Sequence, residues 1–359
     1  MRIRRLIMTG VIALVAASCS GDSQATNLEP LGLLQQGDSA SLQVLAYDYQ
    51  PDTSLGYAFT LDMTMNTQMD FPDLGGSGNM SMGMGMAGDM AYDVAPGTEA
   101  GSVEITMRSD ITGFDLGHFT IDGQSVAGQL SAADVAAMSD QNALPEVTVV
   151  VAENGEILEL RYGGTSLPTD FLSGFGSSGF SDPTGMSLTS MFGPEMPSEG
   201  IGVGAEWVVD DSQDIPGFGT LQAQTHYWVT SEKEFNGRDV FVIVSSSTIE
   251  DIEVDLMEMM ASMLTMDSAS LDALGMDAGE LASAQREMLD GMEMNMGFSY
   301  DSIEATTYFD PADGVVVWTA TDAVMTGTME MKTPEGDGTM IFDMSMDMEM
   351  VLTDAGVGA

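Results

Sequence analysis

Few residues in this 359-residue chain can carry chemistry: one cysteine (Cys19), two histidines (His118 and His226), 56 acidic residues and 33 methionines. His118 sits in GHFTI and His226 in THYWV. Both contexts are strand-like and aromatic, which marks structural histidines rather than general bases. Acidic residues run through the whole chain, so no pair stands apart as an acid–base couple. There is no HExxH, no GxSxG and no phosphate-cradling glycine loop. DDSQDIPG, residues 210–217, comes nearest to a calcium loop, but it lacks the sixth-position glycine and the twelfth-position glutamate. The expectation is a protein that is not an enzyme and needs no cofactor.

That leaves the methionines, and their spacing decides the local structure. In MIFDMSMDMEMVLTD, residues 340–354, Met344, Met346, Met348 and Met350 alternate with Ser345, Asp347 and Glu349. Residues two apart scatter around a helix but share one face of a strand. Methionine's helix preference is worth only a few tenths of a kcal/mol. Burying the side chain is worth about 1.5–3 kcal/mol, so the pattern that buries the row wins. The same period recurs at Met63 and Met65, with Phe59, Leu61 and Met69 in step. It recurs at Met80, Met82, Met84 and Met86, continuing to Met90, Tyr92 and Val94. Met294 and Met296 precede Phe298 and Tyr300, and Met329 and Met331 follow Met325.

Fourteen of these thioethers, all but those of Met69, Met90 and Met325, are the candidate ligand-lining residues, and three readings compete for them. They can line a sheet face that binds a lipid or another hydrophobic small molecule, because a soft, unbranched side chain adapts to varied shapes. They can be plain core in a structural or assembly protein of the cell surface. They can also bind Cu(I), for which thioethers are suitably soft ligands. A strand spaces same-face side chains roughly 7 Å apart, so one run cannot close such a site. Met82 and Met84 would need a third sulfur from a neighbouring strand.

The elements that position these residues are mostly strands. VTVVVAENGEILELRY reads as a hairpin turning at Asn154-Gly155, and a longer hairpin turns near Asn236-Gly237. Val240 to Val244 is apolar on both faces, as in a central strand. Residues 131–140 form a short helix candidate behind Ser131. Across 252–291 the period shifts to helical spacing (Leu256, Met259, Met260, Met263), so a helical insertion near 252–291 is expected. The predicted class is mainly β (α+β): a large curved antiparallel sheet or half-barrel with helices packed on one side.

The chain opens with MRIRRLIMTGVIALVAASC, a basic start followed by an apolar run too short to span a bilayer comfortably. Its small residues before Cys19 resemble the bacterial lipoprotein signal, although Ala16 stands where leucine is usual. The resemblance implies cleavage before Cys19 and lipidation of its thiol by acyl chains such as palmitate. It implies a membrane anchor on the outer face of a bacterial membrane, in the cell envelope. The domain reading is therefore 1–18 signal peptide, 19–40 lipidated tether and 41–353 a single β-rich domain. Without the three signal arginines, six basic residues face 56 acidic ones, a net of −50. Phosphate backbones would be repelled, so nucleic acid is not a partner. Oligomeric state is left open.

A wider resemblance rests on Pro197, Val203-Gly204 and Trp207, then Tyr227, Val229, Glu234, Asn236-Gly237 and Val240 to Ile243, and finally Phe309-Asp310 and Gly314. In that order they resemble a family of uncharacterised bacterial lipoproteins. The family is similar in outline to LolA-like half-barrel lipoprotein carriers, whose concave sheet holds acyl chains. The resemblance implies such a sheet here. Its motifs are turn and core residues, so they speak to fold.

Overall fold

The computed structural model describes residues 32–45, 47, 50–71, 76–97, 102–125, 146–151, 157–162, 164–166, 194, 196–215, 219–255, 293–333 and 336–357. The N-terminal half supplies β1 (Gly32–Gln35), β2 (Thr53–Phe71), β3 (Gly76–Pro96), β4 (Val103–Ile121), β5 (Gln124–Ser125), β6 (Val147–Val151), β7 (Ile157–Tyr162) and β8 (Thr165–Ser166). The C-terminal half supplies β9 (Glu206–Ile215), β10 (Gly219–Phe235), β11 (Arg238–Ile249), β12 (Ile252–Asp255), β13 (Glu293–Asp310), β14 (Val315–Thr333) and β15 (Gly336–Val357). All fifteen join one open antiparallel sheet in the order β1, β9, β10, β11, β13, β14, β15, β2, β3, β4, β6, β7, β8, with β12 on β13 and β5 on β4.

This overturns the α+β expectation: among the described residues the chain is all β, with no helix packed on either side. Residues 252–255, expected to begin a helical insertion, are strand β12 and pair with β13 from Ile252 opposite Phe298 to Asp255 opposite Asn295. The cause is visible in the residues. Ile252 and Val254 are β-branched and alternate with Glu253 and Asp255, a pattern that suits a strand. The helical spacing of 256–291, the helix candidate at 131–140 and the turn at Asn154-Gly155 all lie outside the described residues. The sheet also runs wider than residues 41–353, from Gly32 to Val357.

Neighbouring long strands pair along most of their length, making one continuous hydrogen-bonded layer. At one corner the chain covers that layer. Residues 36–47 and 200–205 hydrogen-bond to each other, with Gln43 and Ile201 exchanging both backbone bonds and Asp38 N donating to Val203 O at 2.8 Å. Beneath them Trp207, Phe241 and Phe309 are fully buried with Leu45, Ile201 and Ile243. Trp207 stacks on Tyr227 at 5.1 Å, and Tyr47 meets Phe309 edge-on at 5.4 Å.

Several residues that carried the family resemblance have structural tasks. Pro197 and Trp207 are buried core, and Gly204 N donates to Val229 O at 2.7 Å. Asn236 (φ 53°) and Gly237 (φ 80°) adopt the paired left-handed conformations of a type I′ hairpin. Buried Asp310 accepts backbone N–H bonds from Ala312 and Asp313 and an Arg238 guanidinium bond at 2.6 Å. Arg238 also holds Asp313.

A second core joins Tyr57 and Tyr92, edge-to-face at 5.4 Å, to Val94, Ile105, Val149, Val315 and Met350. Tyr57 reaches over β15 to donate its hydroxyl to Val316 O at 2.9 Å. Burial raises the pKa of both phenols, so they stay neutral hydrogen-bond donors.

Candidate functional site

Register assembles the methionines. β15 lies between β14 and β2, so the C-terminal strand pairs with the first long strand of the chain. Because side chains alternate, each same-face residue in these strands meets another across the ladder. Met346 pairs with Met63, which pairs with Met84. In the next row Met325, Met344, Met65 and Met82 cross β14, β15, β2 and β3. Nearer the hairpin ends, Met296, Met329, Met340 and Met69 cross β13, β14, β15 and β2, and Met294 meets Met331 beside them.

The other expected residues join this face through different neighbours. Met80 pairs with Thr67 and Ile121, and Met86 with Leu61 and Phe114. Met348 pairs with Leu61 and Thr321. Met350 has a different setting: it is buried in the core around Tyr57 and Tyr92. Met69, Met325 and Met340 also belong to the face. Their parity was readable, but their central places depend on which strands become neighbours. Cys19 lies outside the described residues.

Aromatic rings complete the surface. Phe342 lies over Gly327 so closely that a Cβ there would meet its Cζ at 2.0 Å, so only glycine fits under the ring. Phe298 packs edge-on to Phe342 at 5.7 Å. Thr67, beside them, is buried, and its hydroxyl has no hydrogen-bond partner. Most of the methionines, Met63, Met65, Met82, Met84 and Met344 among them, are half-buried, whereas Met346, Met325 and Met296 are buried. These residues therefore share one side of the sheet along β13, β14, β15, β2 and β3.

The opposite face is acidic. Glu304, Asp322, Asp347 and Asp62 stand side by side on β13, β14, β15 and β2. The hydrogen bond that protonated Asp347 donates to the Asp322 carboxylate raises the Asp347 pKa, helped by partial desolvation and by the charges of Asp322 and Asp62. The described arginines lie elsewhere, each holding two carboxylates: Arg108 with Asp93 and Glu146, Arg161 with Glu104 and Glu159, and Arg238 as above. Among the described residues no three His, Cys, Asp or Glu side chains are grouped to hold a metal.

The histidines are on the sheet as well. His118 Nε2 lies 2.9 Å from Ser81 Oγ, a hydroxyl–imidazole pair. The Ser81 hydroxyl, however, donates to Asn66 Oδ1 at 2.7 Å. In that arrangement the His118 ring is the donor to Ser81 Oγ, and among the described residues no carboxylate is hydrogen-bonded to it. His226 tilts against Trp228 at 4.1 Å, and its Nε2 is 3.7 Å from Glu206 Oε2, too long for a hydrogen bond.

No family model and no curated protein matches the sequence. Among solved structures, a structure of lipid–protein interactions in lipovitellin is 9% identical over 87% of this chain, with a TM-score of 0.35. This chain spans about a quarter of that one's length, 26%. A DUF1329 family protein from Desulfovibrio piger is 8% identical over 84% of this chain and 87% of its own, with a TM-score of 0.14. The TodX monoaromatic hydrocarbon channel is 8% identical over 85% and 91%, with a TM-score of 0.18. At TM-scores this low, none of these likenesses bears on what the chain binds.

Proposed function

We propose that this chain is a non-catalytic lipoprotein of the bacterial cell envelope, tethered through acylated Cys19, and that its methionine face binds a lipid or another hydrophobic molecule. One observation carries the reading: thioethers from β13, β14, β15, β2 and β3 line up in register on one side of the sheet, and most are half-buried. Apolar surface of that extent is stabilised by a partner. Flexible methionines suit a partner of variable shape, such as an acyl chain. The carboxylates on the reverse face keep that side in water and direct an apolar partner to the other.

The test is the soluble chain beginning at residue 20, purified and examined by native mass spectrometry, then titrated with a fluorescent fatty acid. Co-purified lipid and saturable binding are expected, with binding weakened at least tenfold in Met63→Asp/Met344→Asp. A chain that carries no lipid and does not bind the probe would return the methionines to plain core in a surface-assembly protein. Globomycin-sensitive processing and loss of membrane association in Cys19→Ala test the anchor.

A further inference from the structure

Register does more here than gather apolar area. It sets thioethers in two adjacent rows at the centre of the sheet: Met344, Met65 and Met82 in one, with Met325 at its end, and Met346, Met63 and Met84 in the other. We propose that these rows form a binding site for a soft monovalent cation, Cu(I) or Ag(I), held by three neutral sulfurs from β15, β2 and β3. Along a single strand the sulfurs stand roughly 7 Å apart and cannot share an ion. Across the ladder the backbones are only about 4.8 Å apart, and three rotatable bonds let the outer side chains of a row lean toward the middle one. Met65 then shares an ion with Met344 and Met82, and Met63 does so with Met346 and Met84.

The surroundings select for softness. Asp62, Asp343 and Asp347 project from the same strands to the opposite face, so the thioether side offers no carboxylate to a hard cation. No lysine or arginine pairs within either row. Five of the six sulfurs' side chains are half-buried, so an ion reaches them without any opening of the sheet. The acidic chain raises the cation concentration at its surface. Binding leaves the metal's oxidation state unchanged and displaces no proton, because a thioether is neutral and carries none. This proposal goes beyond the apolar-ligand reading and does not depend on it.

The experiment is an anaerobic titration of the full mature chain with Cu(I) against a chromophoric chelator, repeated with Ag(I), while the methionine methyl resonances are followed by NMR. Competition for Cu(I), with shifts concentrated in the six named methionines, is expected. Leucine conserves volume and apolarity, so the variant with all six changed to Leu should still bind the fatty-acid probe while losing Cu(I). The proposal fails if the wild-type chain does not compete with the chelator. It also fails if the six-Leu variant binds Cu(I) as tightly, or if wild-type shifts spread evenly over other methionines. The last readout stands even if the six-Leu variant does not fold. A wild-type chain that binds Cu(I) but not the fatty-acid probe would overturn the lipid reading alone.

Discussion

Two parts of one sheet solve the same problem in opposite ways. At the Trp207 corner, large rigid side chains are buried under a strap made from 36–47 and 200–205, and polar groups such as Asp310 have assigned partners. Along the methionine rows the side chains are unbranched and flexible, and most are half-buried. Rigid aromatic packing specifies one arrangement, whereas thioethers tolerate many. The corner therefore holds the shape and the face is free to adapt. Stability should respond to mutation unequally in the two places.

The largest effect belongs to the corner. Trp207→Ala removes a fully buried indole stacked on Tyr227 and should cost about 3–5 kcal/mol, read from the denaturant midpoint. A cost below about 1 kcal/mol would erase the distinction between the regions. Within the face, Met346→Ala and Met65→Ala sharpen it. Met346 is 4% exposed and packs with Ile249 and Ile303, so its loss should cost about 2–3 kcal/mol. Half-buried Met65 should cost about half as much. Equal costs would mean the face is packed core throughout.

Thr67→Val reverses the sign. It replaces a buried hydroxyl that lacks a partner and should stabilise the protein by about 1 kcal/mol, seen as a higher melting temperature. The smallest effect lies on the acidic side. Asp347 has a raised pKa when folded, so folding favours its protonated form. That contribution is present at acid pH and is lost as the pH rises through the folded pKa. Asp347→Asn should therefore raise the neutral-pH melting temperature by no more than about 2 °C, with the gain shrinking in acid and in high salt.

How much of this was legible beforehand depends on range. Period-two spacing identified the methionine strands because alternation is a local property, and Asn236-Gly237 marked its own turn. The neighbours of each strand were not legible. Nothing local tells Met346 that it will face Met63 more than 280 residues earlier. The strap was hidden for the same reason, since Gln43 and Ile201 meet only after the sheet brings them together. At 252–255 the helical spacing that begins at Leu256 was extended too far back, over four residues whose β-branched alternation pointed the other way. Bulges were equally silent: Thr230 and Thr353 are extra residues in their strands, and each donates its hydroxyl to a carbonyl of the partner strand.

Placing β15 between β14 and β2 has a consequence for the order of assembly. Until β15 (Gly336–Val357) has been made, the middle of the sheet is an unfilled slot bounded by two long, methionine-rich edges. A chain stopped short by nonsense mutation or trimming would expose both edges to other unfinished copies. Docking of β15 thus closes the sheet, and a chain lacking that strand should form aggregates rather than a smaller soluble sheet.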